Sequence, residues 1–218
     1  MDELSTLLTN VQPMLDWRDL PVDMASLAAL AAGLGWASGL RLYALVFVLG
    51  AVGRFGGVQL PGELDVLTHP LVLGLSGLML LAEFFADKLP WLDSVWDAVH
   101  TFIRIPAGAA LAAAVMGDQS GSAQMLAALL GGSLAAGTHL AKAGARAAIN
   151  TSPEPVSNVV TSFGEDALFA GGVWTLFNYP LVFLAALVVF MVLALWLIVS
   201  LWRFVRRLLR PRSGQVAA

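Results

Sequence analysis

Between Glu83 and Arg104 the chain places four carboxylates, a lysine, a histidine and an arginine in 22 positions, although only 12% of the whole sequence is charged. Glu83 and Asp87 are four apart and would share one face of a helix. Beyond Pro90, the residues Asp93, Asp97, His100 and Arg104 step by four, three and four and would line one face of another. Two acidic faces therefore meet at a proline break. Glu83, Asp87, Asp93, Asp97 and His100 form a candidate ion- or proton-binding set. Carboxylates at Glu83, Asp87 and Asp97 would suit a hard divalent cation such as Mg2+, Ca2+ or Mn2+ as cofactor or cargo, and His100 would favour a transition metal. Acids inside an apolar segment equally suit proton binding, and Glu83 stands in such a segment between apolar residues.

A second stripe has the opposite sign. His139, Lys142 and Arg146 step by three and four within the apolar stretch 123–148, and Arg41 lies near the middle of the apolar stretch 24–53. Together with Arg104 they are either counter-charges to the acids or an anion site for a phosphate or lipid headgroup, arginine supplying the fork geometry. The polar segment from Asn150 to Asp166 reads as a long polar loop in which Ser-Pro-Glu-Pro marks a turn followed by a helix start, and adds Glu154, Asn158, Glu165 and Asp166 as loop candidates.

The elements that must hold these residues are membrane helices. A hydrophobic content of 58% and a mean hydropathy of +0.79 exceed the roughly 45–50% apolar usage of soluble domains. The expected fold is all-α: a polytopic integral membrane protein of about five transmembrane helices with re-entrant segments. The spans are placed at 24–53, 70–86, 95–117, 123–147 and 181–202, with Thr68 as an N-cap for the second, and 168–177 is too short to cross. Residues 1–23 read as an acidic interfacial helix or tail, 24–204 as one transmembrane domain, and 205–218 as a basic tail. Five arginines between 203 and 212 place the C-terminus in the cytoplasm of an inner-membrane protein. With no cysteine there is no disulfide and no thiolate chemistry.

Two phrases recur. Ala37–Leu42 resembles Ala135–Leu140, and His69–Val72 resembles Tyr179–Val182, which suggests a repeat of 24–117 in 123–204, inverted on the span count above. Longer phrases carry a family likeness: Gly39-Leu-Arg41-Leu, Asp87-Lys-Leu-Pro-Trp-Leu-Asp93, Trp96 through Gly108, and Ser152 through Asn158 with Glu165-Asp166. They resemble a family of bacterial membrane proteins known as domain of unknown function 4126. The resemblance implies a polytopic membrane protein and no activity.

Three functions follow. The first is a small-ion transporter or channel with Glu83, Asp87 and Asp97 as ligands. The second is a membrane-embedded enzyme or carrier acting on a lipid phosphate, with His100 as general acid or base and Arg104 or Arg146 on the phosphate. The third is a scaffold in which every charge is structural. The expected partners are the lipid bilayer and a small ion or lipid headgroup, with a homo-oligomer left open and no nucleic acid.

Overall fold

The computed structural model describes residues 24–151 and 155–208. The N-terminal segment 1–23, the loop candidate Glu154 and the tail beyond 208 lie outside the described residues. Among the described residues there are six helices and no strand: α1 (Met24–Phe55), α2 (Pro70–Ala86), α3 (Pro90–Val115), α4 (Gly121–Ile149), α5 (Pro155–Asn178) and α6 (Pro180–Leu208), with a 3₁₀ turn at Leu64–Thr68. Four of the six start on proline, which suits the first helical turn because its missing N–H would be unpaired there anyway. His69, not Thr68, caps α2, its ring accepting from the Leu71 N–H at 3.3 Å. Helices α1, α3 and α6 are long and apolar enough to cross a membrane. Large apolar side chains such as Phe102, Val188 and Val192 face outward, as a bilayer requires.

Two sets of hydrogen bonds fix the ends of the bundle. Asn158 on α5 donates to the Asp87 carbonyl at 2.9 Å, and Asn150 after α4 donates to the Pro90 carbonyl at 2.9 Å. The end of α2, the start of α3, the end of α4 and the start of α5 thus meet at one end, the charged end. At the far end the Glu63 N–H donates to the Ala114 carbonyl at 2.9 Å, which sets the α1–α2 connection against the end of α3. Met191 packs at Gly137 and Leu201 at Gly144, so α6 runs alongside α4 toward the charged end.

Helix α1 is a hairpin. Before Arg41, Gly35 lies against Gly131, Gly39 lies against Ala135, and the Leu40 carbonyl accepts from Lys142 at 3.4 Å, so the chain runs with α4 toward the charged end. After Arg41, Phe47 packs at Gly77 and Gly50 at Leu73 and Leu67, so it runs against α2 back to the far end. The turn is made at Arg41 alone, the one residue within α1 off helical geometry, at φ −143° and ψ 71°. Its two arms, residues 24–40 and 42–55, are about 25 Å and 21 Å long at 1.5 Å per residue. The approach to α4 needs glycine: a Cβ at Gly35 would come within 2.5 Å of the Gly131 Cα.

The first arm packs on α5, Gly33 at Leu176 and Trp36 at Gly172, and the second packs on α2. The hairpin is therefore a wedge between α2 and α5, which hardly touch each other. Trp36 anchors the first arm edge-on to Phe183 and Phe190 of α6.

Three expectations change as a result. The stretch 24–53 folds back on itself where a single span was expected. The segment 168–177 is no separate short piece, because Pro155 starts a helix that runs unbroken to Asn178. Most of the expected 150–166 loop is the first half of that helix, its polar residues turned inward. The paired phrases consequently lie on segments that run the same way: the first arm with α4, and α2 with α6. An inverted arrangement would have set them in opposite directions.

Candidate functional site

The tip of the hairpin enters a buried network of ions. Arg41 pairs with Asp87, with Asp166 Oδ1 at 2.8 Å and with Glu165 Oε2 at 3.9 Å, and it donates to the Ser162 carbonyl at 3.3 Å. A turn made by one residue strands the carbonyls just before it; Lys142, reaching across from α4, supplies the donor for Leu40. The same ammonium lies 3.4 Å from Glu165 Oε2 and 3.8 Å from both Asp87 Oδ1 and Asp97 Oδ1.

Arg146 organises the charged end. It forks onto both oxygens of Glu165, at 2.8 Å and 2.9 Å, and donates to Asn158 Oδ1 at 2.7 Å and to the Asp87 carbonyl at 3.1 Å. Asp93 Oδ1 is 3.8 Å from Arg146, and Asp93 Oδ2 accepts from Asn150 at 2.8 Å, so this first-turn acid is buried and bonded rather than a solvated partner of the helix dipole.

Arg104 organises the deep end. Its two terminal nitrogens hold Glu83 Oε1 at 2.5 Å and Asp97 Oδ1 at 3.0 Å. One of them also lies 3.2 Å from His139 Nδ1. The Thr101 hydroxyl donates to the Asp97 carbonyl at 2.9 Å, so it accepts from His139 Nε2, 2.7 Å away. That leaves Nδ1 unprotonated to accept from Arg104, and His139 is a neutral imidazole bridging two donor-acceptor chains. Ser38 of the hairpin donates to the Arg104 carbonyl at 2.8 Å. Beyond it the helices close on one another at the Gly35–Gly131 and Gly131–Gly108 contacts, with the Ser38 hydroxyl at their edge.

Of the residues singled out by type and spacing, Arg41, Glu83, Asp87, Asp93, Asp97, Arg104, His139, Lys142, Arg146, Asn158, Glu165 and Asp166 all enter this one network. His100 does not. Its ring stacks on Trp96 at 4.1 Å and meets Tyr43 edge-on, and its Nδ1 lies 2.7 Å from the Trp96 carbonyl of its own helix. The metal candidates Glu83, Asp87 and Asp97 face arginine and lysine, and among the described residues no three His, Asp or Glu side chains are grouped as metal ligands would be. Ser162, Asn150 and Thr101 joined unannounced; Asn158, Ser162, Glu165 and Asp166 step by four, three and one, an inward helical face that becomes visible once Pro155 is read as a helix start.

The balance of charge is uneven. Six carboxylates (Glu83, Asp87, Asp93, Asp97, Glu165, Asp166) meet four buried cations (Arg41, Arg104, Lys142, Arg146), with Lys88 at the edge as a fifth. One negative charge is left over. Glu83 Oε2 and Asp97 Oδ2, the carboxylate oxygens of these two residues that Arg104 does not bond, are buried and accept no hydrogen bond. A family model, Domain of unknown function (DUF4126), matches residues 28–200, which takes in every residue of this network. The chain belongs to that family. No curated protein and no solved structure matches it. The DUF4126 domain is thus an all-helical bundle whose apolar wall encloses an acid-rich ionic core.

Proposed function

We propose that this protein is a membrane exchanger for protons and a small cation, with the ionic core as its binding site. The observation that carries this reading is the single excess carboxylate in a core whose acids, Asp166 apart, are buried. An uncompensated charge in a low-dielectric interior costs several kcal/mol, so the core holds a proton or another monovalent cation at all times. Release of one ion then requires entry of another, which is exchange. The arginines stay charged and cannot relay a proton, so the carboxylates do. Glu83 and Asp97, which share the single guanidinium of Arg104 and each keep an oxygen accepting no hydrogen bond, are the proton acceptors; Arg41, Lys142 and Arg146 hold the remaining acids in place.

The architecture supports the same reading. Helices α2 to α6 make five crossings and α1 enters and leaves from the far end, its broken tip carrying the charge that reaches the site. Interrupted helices whose ends meet at a buried ionic site are a recurring way of building transport sites. Arg203, Arg206 and Arg207 at the end of α6 support, by the positive-inside rule, a cytoplasmic position for the charged end.

The test is proton movement into dye-loaded vesicles that contain the purified protein, driven by gradients of Na+, K+, Mg2+ or Ca2+ in turn. The expected result is flux with one of these cations, abolished by Glu83→Gln, which keeps an oxygen for Arg104. Undiminished flux in Glu83→Gln would refute the assignment. One observation favours a scaffold instead: every buried cation faces an acid. That reading requires no flux and no ligand-dependent stabilisation with any cation.

A further inference from the structure

The core has one exposed carboxylate. Side chains of Glu83, Asp87, Asp93 and Asp97 are at most 3% exposed and Glu165 is 11% exposed, whereas Asp166 is 37% exposed. Asp166 sits halfway along α5, well below the charged end, so a helix terminus does not explain its exposure. The explanation is the gap between α2 and α5. The hairpin holds these helices apart, and past its tip at Arg41 the outer side of the space is lined by side chains from the two walls, with Arg146 of α4 behind them. From α2 come Phe84 and, just after the helix, Lys88; from α5 come Ser162, Phe163 and Asp166. The Lys88 ammonium lies 3.3 Å from the Phe84 ring centroid and 5.0 Å from that of Phe163, and it reaches the Phe84 carbonyl at 3.0 Å and Ser162 Oγ at 3.5 Å. Burial pushes this ammonium below the ordinary lysine value while Asp166 pulls it back up, as expected of a cation spanning a narrow opening. Directly behind Asp166, Arg41 Nε and Asp87 Oδ1 are buried with no hydrogen-bond partner.

We propose that the gap between α2 and α5 is the hydrated mouth of the ionic core, with Asp166 as the first carboxylate an incoming cation meets and Lys88, held between Phe84 and Phe163, as the bar across it. The path then leads from Asp166 past Arg41 to Asp87, and through Lys142 to Asp97 and Glu83. A lysine at the bar repels cations while it spans the gap, so traffic requires it to swing aside. Two aromatic faces and a backbone carbonyl give it a defined closed position. The inference deepens the exchanger reading and rests on it for the identity of the traffic, but the hydration of the mouth is measured without any flux.

The chain has no cysteine, so a single introduced thiol is the only one present. Thiolates form and react only where water reaches them. Asp166→Cys, Phe163→Cys, Asp97→Cys and the lipid-facing Val188→Cys are each exposed, in membranes, to a membrane-impermeant cationic methanethiosulfonate added from the side of the C-terminus. The expected result is modification of Asp166→Cys and Phe163→Cys at least about tenfold faster than of Asp97→Cys and Val188→Cys, reflecting the difference in thiolate hydration. Adding Lys88→Met should accelerate modification at position 166 further. Phe163→Cys removes no charge and reports on the same mouth if Asp166→Cys fails to fold. Rates at 163 and 166 no faster than at 188 would overturn the mouth even if vesicles show proton flux. Rapid labelling without flux would uphold the mouth and refute the exchanger alone.

Discussion

Replacing Arg104 by methionine tests whether the core is held by its charges. The guanidinium is fully buried, and it alone pairs with Glu83 while sharing Asp97 with Lys142. Its two contacts to carboxylates are charge-assisted and contribute about 1.5–3 kcal/mol each where the partners would otherwise be unsatisfied. Methionine conserves much of the buried stem but strands Glu83 with no cation and adds a second uncompensated negative charge to the core. Removing one member of a buried ion pair costs about 3–5 kcal/mol, and that is the expected loss here. The second half of the argument is rescue. Glu83→Gln in the Arg104→Met background deletes the stranded charge, so the double variant should be more stable than Arg104→Met by about 2 kcal/mol, a coupling typical of residues in direct contact. Unfolding of the purified protein in mixed detergent–denaturant micelles, followed by tryptophan fluorescence, measures both. An Arg104→Met variant within about 1 kcal/mol of the native protein, or a double variant no more stable than the single, would refute the reasoning.

Other variants probe the parts separately. Gly39→Val pushes a side chain into the Ala135 carbonyl, 2.6 Å from where a Cβ would sit, and should destabilise by about 1–3 kcal/mol through overpacking, read in the same unfolding assay. Asn158→Ala removes the donor to the Asp87 carbonyl and an acceptor of Arg146 in one step, and should cost about 1–3 kcal/mol, while Asn178→Ala at the other end of α5 should cost under 1 kcal/mol. Lys142→Met leaves the Leu40 carbonyl without its donor and raises the excess of acid from one to two; it should strengthen cation-dependent thermal stabilisation rather than abolish it. For the native protein, a cation that binds the core and is present at 100 times its Kd should stabilise by about 2.7 kcal/mol, and the response should vanish in Glu83→Gln/Asp97→Asn.

Much of the core was legible from spacing. Glu83 and Asp87, then Asp93, Asp97 and Arg104, lie on inward faces because a helix repeats every 3.6 residues and an apolar wall leaves charge no other direction to point. The opposing stripe of His139, Lys142 and Arg146 follows from the same rule. His100 obeyed the spacing but not the role: it shares a face with Asp97 and Arg104, yet two aromatic neighbours from different parts of the chain, Trp96 and Tyr43, take its ring. Spacing reports which face a residue is on and says nothing of which neighbour wins it. After Pro155 the helix start is legible in Ser-Pro-Glu-Pro, but the length of the helix is not, for a related reason. Hydropathy averaged over Asn158, Ser162, Glu165 and Asp166 looks like a loop, but a helix with one polar face turned to an ionic core has the same average.

The reversal at Arg41 was the least legible feature, and its physical cause explains why. No proline breaks α1, and the nearest glycine, Gly39, is two residues upstream. A helix interrupted in an apolar interior loses backbone hydrogen bonds that local sequence cannot replace. Here the replacement comes from far along the chain: Asp87 is 46 residues from Arg41, Ser162 is 121, and Lys142 is 102 from Leu40. Each of those partners is itself charged or polar and buried, so each needs the hairpin tip as much as the tip needs it. The break and the ionic core therefore stabilise one another, and neither would persist alone. The two matching phrases make the same point: Arg41 and His139 occupy corresponding positions in them, yet His139 stays helical because its ring finds Thr101 and Arg104 beside it, whereas Arg41 must reach the gap between α2 and α5 and leaves the helix to do so.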